Sequence, residues 1–222
     1  MSNDNVFVTG GTGYVGQRLI EALVARGANV RALARATSIA KIPAGATAID
    51  GDALSRESIA AAMPRNAVVV HLVGTPHPSP SKAEQFEAID FVSARECIAA
   101  AVATGARHFV YVSVAHPAPM MHAYIGVRTR VEALLRDSGL PHTILRPWYV
   151  LGPGHRWPYI LLPMYWLFGF IPGTKAGAQR LGLVTLPQMV SALSYAVETA
   201  GSESRILNVP EIRAAASRTT TA

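Results

Sequence analysis

The sequence predicts an α/β protein built on a doubly wound parallel sheet, and three observations predict it. Short β-branched runs alternate with amphipathic stretches along most of the 222 residues. Such alternation is the signature of strand–helix–strand units that lay helices on both faces of a sheet. The run at 67–74, Ala-Val-Val-Val-His-Leu-Val-Gly, is apolar almost throughout, as expected of a strand covered on both faces. Four glycines crowd residues 10–16, between an apolar run and a regular amphipathic stretch.

Residues 6–8, Val-Phe-Val, have the composition of a buried first strand. The amphipathic stretch follows at 17–26, with Val15, Leu19, Ala22 and Leu23 on one helical face and Gly27 as a stop. A strand, a glycine-rich turn and a helix N-terminus together make an anion site, because the free amides and the helix dipole converge on one spot. Gly10 suits the tight turn, Gly13 lets the backbone approach a pyrophosphate, and Gly16 lets the helix pack closely. With Thr12, Tyr14 and Val15 they form the predicted diphosphate grip. The spacing is Gly-x-x-Gly-x-x-Gly rather than Gly-x-Gly-x-x-Gly. A merely flexible surface turn would leave the regular helix behind it unexplained.

Thr9, Gly10, Gly13 and Gly16 resemble the Thr-Gly-x-x-Gly-x-x-Gly motif of the short-chain dehydrogenase/reductase superfamily, in its extended and atypical branches. The resemblance covers most of residues 5–209. It implies a Rossmann-type sheet and a nicotinamide dinucleotide cofactor. Among single-domain NAD(P)H-binding proteins, the chain resembles the NADPH-binding accessory subunit of respiratory complex I and the nitrogen-regulator type of redox sensor.

The second strand is predicted at 29–35. An NAD site usually carries a carboxylate about 20 residues beyond the glycines, to bond the adenosine ribose. Here residues 29–49 contain none, and Arg35 stands at the strand end, where its planar fork suits a 2′-phosphate. NADP is therefore the expected cofactor, ahead of NAD. A third strand is predicted at 46–52. The resemblance places Asp52, with Ala53 beside it, near the adenine; Asp52 also suits a cap for the helix starting near Ser55. At the end of the strand over 67–74, Leu72, Gly74 and Thr75 should run along the cofactor, since ligands sit at carboxyl ends of such strands. His71 reads as a satisfied core histidine. A long helix is predicted over 81–104, bearing Phe86, Ile89, Val92 and Cys97 on its apolar side. A strand follows over 107–113, then a helix over 121–138 stopped by Gly139, and a strand over 141–147. A short strand over 179–184 precedes a helix that Thr185 caps, with Pro187 in its first turn, running to about residue 199. A last strand spans 205–209.

The resemblance also implies a catalytic set. Superfamily enzymes use a serine at the end of the fifth strand, then a tyrosine with a lysine four residues on. Ser113 and Tyr124 match, and Arg128 occupies the lysine position. Residues four apart share a helix face. A carbonyl being reduced gains negative charge on oxygen, so Tyr124 would donate a proton and Ser113 a hydrogen bond, with a cation lowering the tyrosine pKa. Arginine supplies the charge but cannot readily exchange a proton. The alternative is a fold that binds NADPH without turnover. His116, Trp148 and Trp157 are candidate substrate contacts, and the resemblance sets Pro147 beside the nicotinamide.

Residues 157–172 carry no charge and three prolines, with five aromatic side chains from Trp157 to Phe168. That is too short and too proline-broken for a membrane span. It suits a lid over an apolar substrate, a homodimer or partner surface, or a peripheral membrane contact. The expected organisation is a cofactor-binding core over 1–150, this apolar lid or interaction segment over 151–186, a completing helix and strand over 187–212, and a disordered tail over 213–222.

The formal charge of +6 rests on 17 Arg and 3 Lys, scattered without a basic run, which argues against nucleic acid and for an anionic cofactor. The single Cys97 excludes an internal disulfide, and no Cys/His group has metal-ligand spacing. The first strand begins almost at once, so the expected compartment is the cytoplasm, with membrane association possible through 157–172. The expected function is hydride transfer between NADP(H) and a carbonyl of a quinone-, lipid- or polycyclic-like substrate. A non-catalytic NADPH sensor or accessory subunit is the alternative, and a nucleotide-sugar epimerase or dehydratase the third reading.

Overall fold

The computed structural model describes residues 5–117, 121–152 and 182–219. The strands are β1 (Asn5–Thr9), β2 (Asn29–Ala34), β3 (Thr47–Asp50), β4 (Val68–His71), β5 (His108–Val112), β6 (His142–Arg146), β7 (Tyr149–Leu151), β8 (Leu183–Thr185) and β9 (Arg205–Asn208). The principal helices are α1 (Tyr14–Ala25), α2 (Arg56–Ala62), α3 (Val92–Thr104), α4 (His122–Asp137), α5 (Leu186–Glu198) and α6 (Val209–Thr219). Seven strands form one parallel sheet in the order β3-β2-β1-β4-β5-β6-β9. The order reverses between β1 and β4, so this is the doubly wound Rossmann-type sheet that the sequence predicts, and a crevice opens at the switch point. β7 and β8 pair in parallel as a small second sheet.

Strand periodicity divides the core in two. Val6 and Val8 of β1 point to one face, where they meet Leu19, Ile20 and Leu23 of α1, Met189 and Leu193 of α5, and Ile212 of α6. Phe7 points to the other, among Ile59 of α2, Cys97 and Ala101 of α3, and Val131 and Leu135 of α4. Cys97 is a buried thiol whose pKa burial pushes up to about 12, which keeps it inert.

Three local expectations change. The stretch predicted as one helix over 81–104 begins with a single-turn 3-10 segment (Pro80–Lys82), then passes through a π-helical turn (Phe86–Phe91) before α3. The wider turn buries both Phe86 and Asp90. Asp52 does not cap α2: Ser55 does, accepting from the Ser58 amide at 3.2 Å, while Asp52 Oδ1 accepts from the Leu54 amide at 2.9 Å. The tail expected to be disordered from residue 213 is helical as far as Thr219. Val209, Ile212 and Ala215 of α6 are buried, and that apolar stripe outweighs the polar composition.

Thr185 caps α5 as the sequence predicts. Its hydroxyl accepts from the Gln188 amide at 3.3 Å, and the Gln188 side chain accepts from the Thr185 amide at 2.9 Å. No helix among the described residues is long and apolar enough to cross a membrane.

Candidate active site

The glycine turn closes on itself through a Gly13 amide to Gly10 carbonyl bond of 3.1 Å. Gly10 has φ +76°, and a Cβ there would lie 2.5 Å from the Leu72 carbonyl carbon. A Cβ at Gly16 would overlap the Gly10 carbonyl oxygen, so α1 is seated directly on the turn. Gly13 is the N-cap of α1, and no side chain caps that end. The first-turn amides are left for an anion, and no acidic side chain opposes one.

Two clefts meet over this turn. One, of about 330 Å³, is lined by Thr12, Leu33, Ala34, Arg35, Ser38, Asp52, Ala53 and Leu54 among others. The other, of about 310 Å³, has Tyr14, Val15, Gly16, His77, Val112, Arg128, Val150 and Met189 on its walls. Gly10, Gly13, Leu72, Val73, Gly74 and Pro76 belong to both. The result is one groove across the carboxyl ends of β1, β2, β4 and β5, with an elongated shape and an anion grip at its middle. Nearly every sequence-predicted cofactor residue lies along it; Thr75 and Pro147 line neither cleft.

The three residues of the expected catalytic set are placed as follows. Ser113 is buried and donates to Glu132 Oε1 at 2.6 Å. Glu132, itself 1% exposed, also accepts from the Arg146 guanidinium and lies 3.5 Å from His116 Nε2. Burial works to raise the Glu132 pKa, but the Arg146 and Ser113 hydrogen bonds outweigh it and hold the carboxyl below its ordinary range. Arg128 is also buried. It donates to Asp90 Oδ1 at 2.6 Å, to the Tyr111 hydroxyl at 3.1 Å and to the Val112 carbonyl at 3.0 Å. Burial favours its neutral form, yet Tyr111, Tyr124 and Asp90 more than compensate, so its pKa is raised and its charge is permanent. Tyr124 is half-buried, its ring 5.0 Å from that of Phe86 and 4.9 Å from the Arg128 guanidinium. The structure thus brings Tyr124 and Arg128 together, while the Ser113 hydroxyl is engaged by a separate carboxylate.

Asp90 and Glu132 are the buried carboxylates beside the expected catalytic set that the sequence did not single out. Asp90, fully buried, accepts from the Thr75 amide at 2.8 Å and hydroxyl at 2.6 Å as well as from Arg128. It ties the wall of the groove after β4 to α4. The sequence signal for it is faint: a carboxylate four residues beyond Phe86, on the side otherwise read as apolar. His71 is a core histidine, as expected. Burial, with help from Arg128, lowers its pKa to about 3, and its Nδ1 lies 2.8 Å from the Thr9 hydroxyl. His116 and Trp148 are half-buried and line neither cleft; Trp157 lies outside the described residues. No group of three or more potential metal ligands occurs among the described residues.

A Rossmann-type sheet whose switch point carries an uncapped helix N-terminus and a two-lobed groove defines a dinucleotide-binding α/β protein. A family model described as NAD(P)H-binding matches residues 10–157, and the chain belongs to that family. The chain is 29% identical over 173 residues to Protein TIC 62, chloroplastic, from Oryza sativa subsp. japonica, with 65% of this chain and 35% of that protein covered. It is 30% identical over 168 residues to 4-hydroxy-2-methyl-3-oxo-4-farnesyl-3,4-dihydroquinoline-1-oxide ketoreductase from Stigmatella aurantiaca, covering 66% of this chain and 50% of that enzyme. It therefore spans at most half the length of these two relatives. The fold is shared with the Bordetella bronchiseptica enzyme WbmH in complex with NAD+, at TM-score 0.68 and 20% identity, over 99% of this chain and 82% of that one.

Proposed function

We propose that the chain binds NADP(H) along the groove and catalyses hydride transfer between it and a carbonyl of an apolar substrate. The observation that carries this reading is the two-lobed groove itself, centred on an uncapped helix N-terminus. The residues fit the cofactor: a side chain at Gly10 or Gly16 would close the cradle, and the open first turn of α1 lacks its own anion. Arg35 and Ser38, on the lining of the larger cleft, suit a 2′-phosphate, and no carboxylate stands along residues 29–49, where an NAD site usually carries one.

Bound NADPH would supply the hydride. The chain's own contribution is to orient and to protonate. Tyr124 would give the reduced oxygen its proton, and Arg128 stands 4.9 Å from its ring. Arg128 is held by Asp90, so it acts as a fixed charge and not as a proton relay. Val112, Val150 and Met189 make the wall of the smaller cleft apolar. The farnesylated substrate named for the Stigmatella aurantiaca relative supports the same substrate class.

The test is NADPH oxidation with a panel of ketones and quinones, comparing wild type with Tyr124→Phe and Arg128→Lys. Turnover lost in Tyr124→Phe supports the reading. A second reading is favoured by a specific observation: Ser113 and Arg128 are both engaged by buried carboxylates, Glu132 and Asp90. An NADPH-binding accessory subunit or sensor would retain such an arrangement without chemistry. Tight NADPH binding with no turnover on any panel member, unchanged in both variants, selects it.

A further inference from the structure

The strap over residues 74–82 crosses the groove where the two clefts join, and it is fixed at two points. Thr75 is held through its amide and hydroxyl by the buried Asp90. The Pro76 carbonyl accepts from Lys82 Nζ at 2.6 Å. Between these clamps and Pro78 stands His77, an exposed residue with φ +48°. A non-glycine residue in the left-handed region persists only where its surroundings impose it, and such residues concentrate at ligand-binding sites. Pro76 lines both clefts, whereas His77 lines only the smaller one, on the same walls as Tyr14, Val112, Arg128 and Met189.

We infer that His77 is a cofactor-binding residue, presented by the clamped strap to hydrogen-bond the ribose–phosphate of the nicotinamide half. This rests on the NADP(H) reading above. It adds a contact outside the glycine motif and outside the Ser113, Tyr124 and Arg128 set. An imidazole offers one donor and one acceptor nitrogen when neutral, which suits ribose hydroxyls and phosphate oxygens alike.

The experiment compares wild type with His77→Gly and His77→Asn, titrating each with NADPH and with adenosine 2′,5′-bisphosphate, which lacks the nicotinamide half. Glycine accepts the left-handed conformation without a side chain; asparagine accepts it and keeps a hydrogen-bonding group. The expected result for His77→Gly is a loss of about tenfold in NADPH affinity, the scale of one polar contact, with bisphosphate affinity unchanged. His77→Asn should fall between. A thermal melt of His77→Gly no lower than wild type separates this from misfolding. Unchanged NADPH affinity, or equal losses for both ligands, would overturn the His77 assignment alone. Wild type that binds neither ligand would overturn the cofactor reading with it.

Discussion

Removing the Asp90 carboxylate should take away a large part of the protein's stability. Asp90 has no solvent exposure and accepts three hydrogen bonds, from Arg128 Nη2 at 2.6 Å, the Thr75 amide at 2.8 Å and the Thr75 hydroxyl at 2.6 Å. In Asp90→Ala the Arg128 guanidinium stays buried without its counter-charge, a change that costs about 3–5 kcal/mol in comparable buried pairs. The Thr75 amide is orphaned as well, adding about 1–3 kcal/mol. Set against a usual domain stability of about 5–15 kcal/mol, the single variant should be close to unfolding. Asp90→Leu combined with Arg128→Met removes both charges and should recover most of the ion-pair cost, leaving the Thr75 penalty. Urea denaturation of Asp90→Leu, of Arg128→Met and of the double closes the cycle. A loss below about 1 kcal/mol for Asp90→Ala, the size expected of an exposed pair, would refute the argument that this pair is desolvated and essential.

Arg35→Ala should weaken NADPH by about tenfold or more while leaving NADH nearly unchanged, read by direct titration; equal losses would remove the 2′-phosphate assignment. Thr185→Ala breaks the capping box of α5 and should cost about 1 kcal/mol in chemical denaturation, with Thr185→Ser close to wild type. His71 has its pKa lowered to about 3 in the fold, so only the unfolded chain takes up a proton as pH falls below 6.5. Its contribution is fully present above that value and declines toward pH 3, at about 1.4 kcal/mol per pH unit. A His71→Gln variant should therefore show a shallower acid loss of stability between those limits, and parallel curves would sink the argument.

Much of the fold was legible because its signals are local. The order of strands and helices follows from hydrophobic period, the α5 cap from Thr185 and Pro187, and the dinucleotide grip from three glycines that the structure shows to be sterically required or open to ligand. What escaped was long-range pairing. The helix predicted over 121–138 put Tyr124 and Arg128 on one face, but nothing in the spacing chose Asp90 as the partner of Arg128, 38 positions away. Likewise Ser113 reads as a free hydroxyl until β6 and α4 bring Arg146 and Glu132 to it. The π-helical turn that buries Asp90 has no composition of its own. The tail misled because scattered small residues conceal a stripe of Val209, Ile212 and Ala215 whose value depends on a neighbouring helix face.

The short parallel pairing of Tyr149–Leu151 with Leu183–Thr185 rivets two parts of the chain that are far apart in sequence. Tyr149 stands against Leu183, Val150 against Val184 and Leu151 against Thr185. Val150, in the middle of the pairing, lines the smaller cleft, and Thr185, at its end, caps α5. The rivet therefore couples the cleft wall to the seating of α5, and a change that loosened either strand would be felt at both.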